Sequence, residues 1–315
     1  MGPEAFSFRT HRSFICNSDL IPIMTRDRKF ILFSLLPTLV VLISITVFPF
    51  FYLIYLSLHS WNIAKPGSFR FNNFGNFIAL FSDTRFLDSI IRTINYVGVA
   101  VVVEFGIGFG LATVLSQKFW GKKVILPLLI IPLGVTPIVA SLVWKILYHS
   151  EFGLINYFIE LMTFIPPMWL TDKNVALYSI IIVDVWRWTP LMMLIFIAGR
   201  SALPKDVYEA AEIDGARGWQ RFKNITWPLL LPISSIVLLM RLMDAFKAFD
   251  DIYGLTQGGP GTSTETMNIL LMLTSFRYYD FGKGSAISFV MLVLVIGLCT
   301  AFVRLFKLRI GETLY

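Results

Sequence analysis

Long apolar runs constrain this chain more than any other feature. Six of them, at residues 30–56, 90–117, 124–147, 175–199, 229–249 and 285–306, each hold about twenty or more residues. That is the length a helix needs to cross a hydrocarbon core of about 30 Å at 1.5 Å per residue. With 56% of its 315 residues hydrophobic and only 15% charged, the chain lacks the polar surface of a soluble domain. The expected fold class is an all-α integral membrane protein with six transmembrane helices.

The run at 30–56 follows Arg26, Arg28 and Lys29 and contains no small-residue cleavage site, so it reads as an uncleaved first span. Met24 stands beside Met1 as an alternative start. Orientation follows from the basic residues between spans. Segments 1–29, 118–123, 200–228 and 304–315 carry 5, 3, 5 and 3 Lys and Arg, sixteen in all. Segments 57–89, 148–174 and 250–284 carry 3, 1 and 2, six in all. The positive-inside rule therefore puts both termini and the 200–228 loop in the cytoplasm. The net charge of +7 has the same origin and does not imply nucleic acid. Cys16 and Cys299 lie in different environments, and His11, His59 and His149 are scattered, so no disulfide, metal site or catalytic triad is expected. No phosphate-binding glycine loop occurs: Gly282-Lys283-Gly284-Ser285 lacks the upstream glycine and the preceding strand. An enzyme is not expected, and no cofactor belongs to the chain.

Between the fourth and fifth spans lies a charged insert with its own helical pattern. Leu203-Pro204-Lys205-Asp206 opens a helix with proline in the first turn and an acid at its positive end. Val207, Ala210 and Ala211 share a face, where small alanines allow close approach of a partner. Asp214-Gly215 signals a turn, since glycine tolerates left-handed dihedrals. A second short helix is expected to present Trp219 and Phe222, and Pro228 to end the insert. An amphipathic helix lying on lipid is the rival reading, but it explains neither the paired alanines nor the Asp-Gly break. Within this insert Glu209, Ala210, Ala211, Gly215, Ile225 and Pro228 resemble the signature of ABC-importer permeases, with Trp227 where that family usually has Leu.

The stretch Phe249-Asp250-Asp251-Ile252-Tyr253, the loop Gly258-Gly259-Pro260-Gly261 and residues 278–286 are similar to sugar permeases of the maltose-uptake type, and the likeness extends over about 90–307. That resemblance implies a division into a tail at 1–29, a first helix at 30–58, a five-helix permease core at 86–307 and a tail at 308–315. It also implies that 200–228 is a cytoplasmic coupling-helix loop seated in an ATPase subunit, with Glu209 making polar contacts and Gly215 forming the bend. The expected function is import of a sugar or related polyol across a bacterial or archaeal inner membrane by alternating access. The expected partners are a second permease subunit, two ATPase subunits that carry ATP and Mg, and an external solute-binding protein touching Gly258, Gly259, Pro260 and Gly261. Glycerol phosphates, amino acids and inorganic anions are alternative substrates within the superfamily. A secondary transporter or channel is the rival class; it predicts inverted repeats and helices broken at mid-membrane, and neither is expected from this sequence.

Ionisable groups inside spans are costly and mark functional candidates. Glu104 falls near the middle of the second span. Asp184 and Arg187 lie three apart on the fourth, as an expected intrahelical pair, next to Trp188 and a Pro190 able to kink the helix. Arg241, Asp244 and Lys247 recur at three-residue spacing on the fifth and are expected to face the translocation path. Packing between helices is the alternative for each. Aromatic surface and hydrogen-bonding groups for a sugar are expected from Trp186, Trp188, Tyr96, Asn95 and Asp244.

Overall fold

The computed structural model describes residues 20–117 and 119–305. The expectations for 1–19 and 308–315, including Cys16 and His11, lie outside the described residues. Apart from turns and loops, the described residues are helical except for one two-stranded hairpin, β1 (His59–Ser60) with β2 (Arg70–Phe71). In sequence order the helices are α1 (Leu20–Ser57), α2 (Gly75–Phe81), α3 (Thr84–Leu115), α4 (Lys122–Ile130), α5 (Pro137–Leu147), α6 (Leu154–Leu161) and α7 (Ala176–Ser201). They continue with α8 (Lys205–Ile213), α9 (Trp219–Arg221), α10 (Trp227–Phe246), α11 (Asp250–Leu255), α12 (Met267–Met272) and α13 (Phe281–Leu305). Five helices are long and apolar enough to cross a membrane, and six if the bent α4–α5 pair counts as one span.

The described residues up to Tyr52 form one unit and those from Leu53 onward another. The first is the body of α1, which exposes Phe33, Leu36, Val40, Ile43 and Phe48. A helix apolar on all sides suits a lipid or protein environment rather than water.

In the second unit α3 and α7 form the most extensive helix pair, and α10 packs on both. Gly108 lets α3 and α7 approach closely: a Cβ there would lie 2.6 Å from Met192 Cβ. Around Tyr96, Val97, Ala100, Ile180, Val183, Ala245 and Ile252 the three helices and α11 bury one apolar core. Toward the 200–228 loop Ala112, Leu115, Met192, Met193, Phe196 and Val237 form another.

Two expectations about spans need correction. The third span is not continuous: α4 and a 3-10 turn at Ile131–Gly134 meet α5 at a bend of 105°. Pro127, Pro132, Gly134 and Pro137 explain it, because each proline withholds an amide donor and crowds the preceding turn. A broken helix is thus present, and its supposed absence does not count against a secondary transporter. The fifth span also starts earlier than expected. Residues Trp219–Phe246 run as one helix through a π-helical turn at Phe222–Thr226, so the second short helix of the insert is the beginning of that span. The wider turn lies just before Pro228, where a regular helix would lack a donor. Pro190 sits within a helix assigned without interruption from Ala176 to Ser201.

The contact at Gly108 predicts that Gly108→Ala lowers the unfolding midpoint of the purified protein, as overpacking typically costs about 1–3 kcal/mol. Gly98→Ala on the same helix, with nothing within 4 Å of the added Cβ, should leave it nearly unchanged. Equal midpoints for the two variants would mean that α3 and α7 do not meet at Gly108.

Candidate functional site: an ionic cluster, its cavities and a coupling segment

Charges from three spans meet where the sequence only placed them singly. Arg241 on α10 donates to both carboxylate oxygens of Glu104 on α3, at 2.6 and 2.8 Å. Its Nη2 also donates to Asp184 Oδ2 on α7. Arg187, one turn further along α7, donates to Asp251 Oδ2 on α11 and stays 3.6 Å from Asp184 Oδ1. The expected Asp184–Arg187 pair therefore exists only as a secondary contact, and both residues bind chiefly across helices. Glu104, Asp184, Arg241 and Asp251 are all buried. A bidentate guanidinium–carboxylate pair matches donors to acceptors in one plane, and charges inside a membrane protein require such partners. Burial pushes the Asp251 carboxyl up to about 6, against the pull of Arg187.

Trp188 covers the cluster, with the Arg241 and Arg187 guanidinium carbons 4.8 and 5.2 Å from its ring. Beside it lies a cavity of about 160 Å³ lined by Asp184, Arg187, Trp188, Arg241, Asp244, Lys247, Asp250 and Asp251. A neighbouring cavity of about 320 Å³ shares Trp188, Arg241, Asp244 and Lys247 and adds Leu191, Met192, Ile195, Met240 and Met243. Arg241, Asp244 and Lys247 thus do not share one environment. Arg241 is locked among helices, Asp244 keeps 44% of its side chain exposed, and Lys247 is exposed. Asp184 Oδ1, Asp251 Oδ1 and Arg187 Nε are buried without a hydrogen-bond partner among the described residues.

The other path candidates lie elsewhere. Trp186 packs edge-on against Trp144 with ring centroids 5.6 Å apart. Asn95 is half-buried, 3.5 Å from the Tyr178 hydroxyl. Tyr96 is core. Among the described residues, no group of three His, Cys, Asp or Glu is placed to hold a metal ion.

The loop at 256–266 is irregular, as its composition suggests, but firmly held. Arg85 clamps the buried Glu265 through two bonds of 2.7 Å, and Thr264 ties back to the Gly259 carbonyl at 2.8 Å. Of Gly258, Gly259, Pro260 and Gly261 only Gly261 is exposed; Gly259 and Pro260 border a cleft of about 630 Å³ with Trp169 and Tyr148. Nearby, a 2.9 Å bond from Lys283 holds the Asp83 carboxyl below the usual carboxylate range. Neither Arg85–Glu265 nor Asp83–Lys283 was foreseen, since such partners lie 180 and 200 residues apart.

The 203–228 segment closes α8 with a Schellman motif. Gly215, at φ +77, donates to Glu212 O, and Ala216 donates to Ala211 O at 2.9 Å. These bonds satisfy carbonyls left free at a helix end, and the left-handed residue between them favours glycine. Asp214 is the C-cap. Arg221 binds Glu212 at 2.7 Å and Tyr208 meets Thr226 at 3.0 Å, fixing α8 on the following helix. Ala211 is buried, whereas Glu209 and Ala210 are exposed, and Ile213 and Trp219 are 87% and 71% exposed. Phe222 departs from the expected outward face: it is half-buried and packs with Phe109 and Trp227, ring centroids 5.8 and 6.3 Å away. Trp227, the departure from the usual Leu, is part of this aromatic group.

Truncating Arg241 would leave Glu104 and Asp184 buried without their main cation, a loss of about 3–5 kcal/mol for pairs of this kind. Arg241→Met should sharply lower the unfolding midpoint in detergent, and adding Glu104→Gln with Asp184→Asn should recover part of it. An unchanged midpoint in the single variant would show that the cluster does not hold the helices together.

Comparison with known proteins agrees with this architecture. Residues 105–309 match the model of the family described as binding-protein-dependent transport system inner membrane component. The trehalose/maltose transport system permease protein MalF of Thermococcus litoralis is 34% identical over 290 residues, covering 90% of this chain and 96% of that protein. The trehalose transport system permease protein SugA of Mycobacterium tuberculosis is 31% identical over 280 residues, covering 89% of each. A crystal structure of a bacterial ABC transporter that imports the acidic polysaccharide alginate shares the fold. Its TM-score is 0.79 at 18% identity, over 94% of this chain and all of the matched one. The chain belongs to the family of binding-protein-dependent transport system inner membrane components, the membrane permease subunits of ABC importers.

Proposed function

We propose that this permease carries a sugar or related polyol, and that the cavities beside Trp188 lie on its path. The observation that carries the reading is the joining of an indole, the half-exposed Asp244 carboxylate and apolar wall residues around one opening. Sugars present flat C–H faces and many hydroxyls, and such a mixture of aromatic and hydrogen-bonding groups serves both. The names of the relatives, trehalose/maltose and trehalose transport proteins at 34% and 31% identity, support the same substrate class. As a subunit of this family the chain does not itself hydrolyse ATP; that chemistry belongs to a separate subunit.

In this reading two ATPase subunits and a second permease complete the membrane complex, and an external binding protein delivers the substrate. Glu209, Ala210, Ile213 and Trp219 form the face offered to the ATPase, with Gly215 setting the angle of α8. ATP-driven closure of the ATPases turns α8 and, through the Arg221–Glu212 and Tyr208–Thr226 contacts, the helix that carries Arg241 and Asp244. Both termini and this loop face the cytoplasm of a bacterial or archaeal cell, and the 256–266 loop faces outward.

Two measurements test this. A cysteine at Thr262 should react with an impermeant external thiol reagent, and one at Gly218 should not; the reverse pattern would overturn the orientation. In proteoliposomes holding the whole importer, ATP should drive uptake of a neutral disaccharide such as trehalose or maltose. Gly215→Val, strained by at least about 1 kcal/mol at positive φ, and Glu209→Lys should lower uptake per assembled complex. Normal uptake and assembly in both would remove this loop from coupling, and uptake without ATP would favour a secondary transporter.

A further inference from the structure

We infer that the cavity beside the ionic cluster sorts ligands by charge, admitting an uncharged saccharide or polyol and turning away one that carries a carboxylate, sulfonate or phosphate. The inference rests on the proposed function, in that it takes this cavity to lie on the transport path.

Two guanidiniums at a cavity wall would ordinarily suggest an anion clamp. Here each is already paired with a buried carboxylate, although Arg187 Nε has no hydrogen-bond partner among the described residues. Arg241 spends its Nε and Nη2 donors on Glu104 and Asp184, and its Nη1 is 3.4 Å from Asp244. Arg187 is bound to Asp251 with Asp184 as second neighbour. An anionic ligand would have to displace a buried carboxylate from its partner, leaving that carboxylate unpaired.

The charge balance points the same way. Glu104, Asp184, Asp244, Asp250 and Asp251 face Arg187, Arg241 and Lys247 across the cluster and its cavity, five acids against three bases. Of the bases only Lys247 has no ion-pair partner among the described residues, and it is exposed at the end of α10. The acceptor that a ligand can reach is Asp244, which lines the cavity with 44% of its side chain exposed. Ligand hydroxyls donate to it, where a ligand carboxylate is repelled. Like-charge contact of this kind is how sites reject wrong partners.

The test uses the membrane complex in nanodiscs without its binding protein, so that discrimination by that protein plays no part. Calorimetric titration compares trehalose, maltose and sucrose with acidic counterparts of similar size, such as maltobionate and glucuronosyl disaccharides. At least one neutral disaccharide should bind, with the acids at least about tenfold weaker. Asp244→Lys should narrow or reverse that ratio, while Asp244→Asn should narrow it less. Acids that bind as well as the neutral sugars would overturn the charge selection and leave the sugar reading standing. Binding of neither class would remove the cavity from the sugar path and the inference with it. A ratio unmoved by Asp244→Lys, with binding intact, would also sink the proposal.

Discussion

The guanidinium of Arg241 is the point on which the helix assembly depends. It is held at once by α3 through Glu104 and by α7 through Asp184, from its own place on α10. Nothing comparable would be needed in water, where each group would be hydrated separately. In an apolar surrounding an ionised side chain on its own is expensive, so the three helices are most stable where their charges coincide. The position of Trp188 follows, because a ring over two guanidiniums completes the shell that water would otherwise supply. The cavities follow in turn, since the same cluster forms one of their walls.

Much of this was legible from the residues. Span number, the left-handed turn at Gly215 and the special standing of Glu104, Asp184, Arg187 and Arg241 all came from local rules of length, turn chemistry and cost. Pairing was not legible. Arg187 is three residues from Asp184 but 64 from Asp251, and sequence spacing favours the near partner while tertiary packing chose the far one. Phe222 went wrong for a related reason: it does stack beside Trp219 at i, i+3, with ring centroids 5.1 Å apart, but Phe109, far away in sequence, covers it. The broken third span was a misreading rather than hidden information. Pro132, Gly134 and Pro137 stand within six residues, a cluster that a count of apolar residues passes over.

Two regions far apart in role share one element. The helix Trp219–Phe246 begins beside the exposed face of α8 and ends at the ionic cluster, a length of about 42 Å at 1.5 Å per residue. Its first turns are fixed by Arg221–Glu212, Tyr208–Thr226 and the aromatic group of Phe109, Phe222 and Trp227. Its far end is fixed by Arg241. One continuous helix thus joins the contacts of α8 to those of the ionic cluster.

The span of 137 residues between Glu104 and Arg241 also has a consequence for how the protein is made. Chain synthesis delivers α3 first, so its acid enters the bilayer before Arg241, whose guanidinium grips both its oxygens, exists. An acid at a helix centre raises the insertion free energy by about 2.5–3.5 kcal/mol, which the apolar residues of α3 must outweigh unaided. Until α10 arrives, α3 and α7 hold together through their own packing, without the Arg241 bridge between Glu104 and Asp184. Native order is therefore sealed late, and a ribosome that stalls before residue 241 leaves behind a membrane-bound fragment marked by an unpaired carboxyl group.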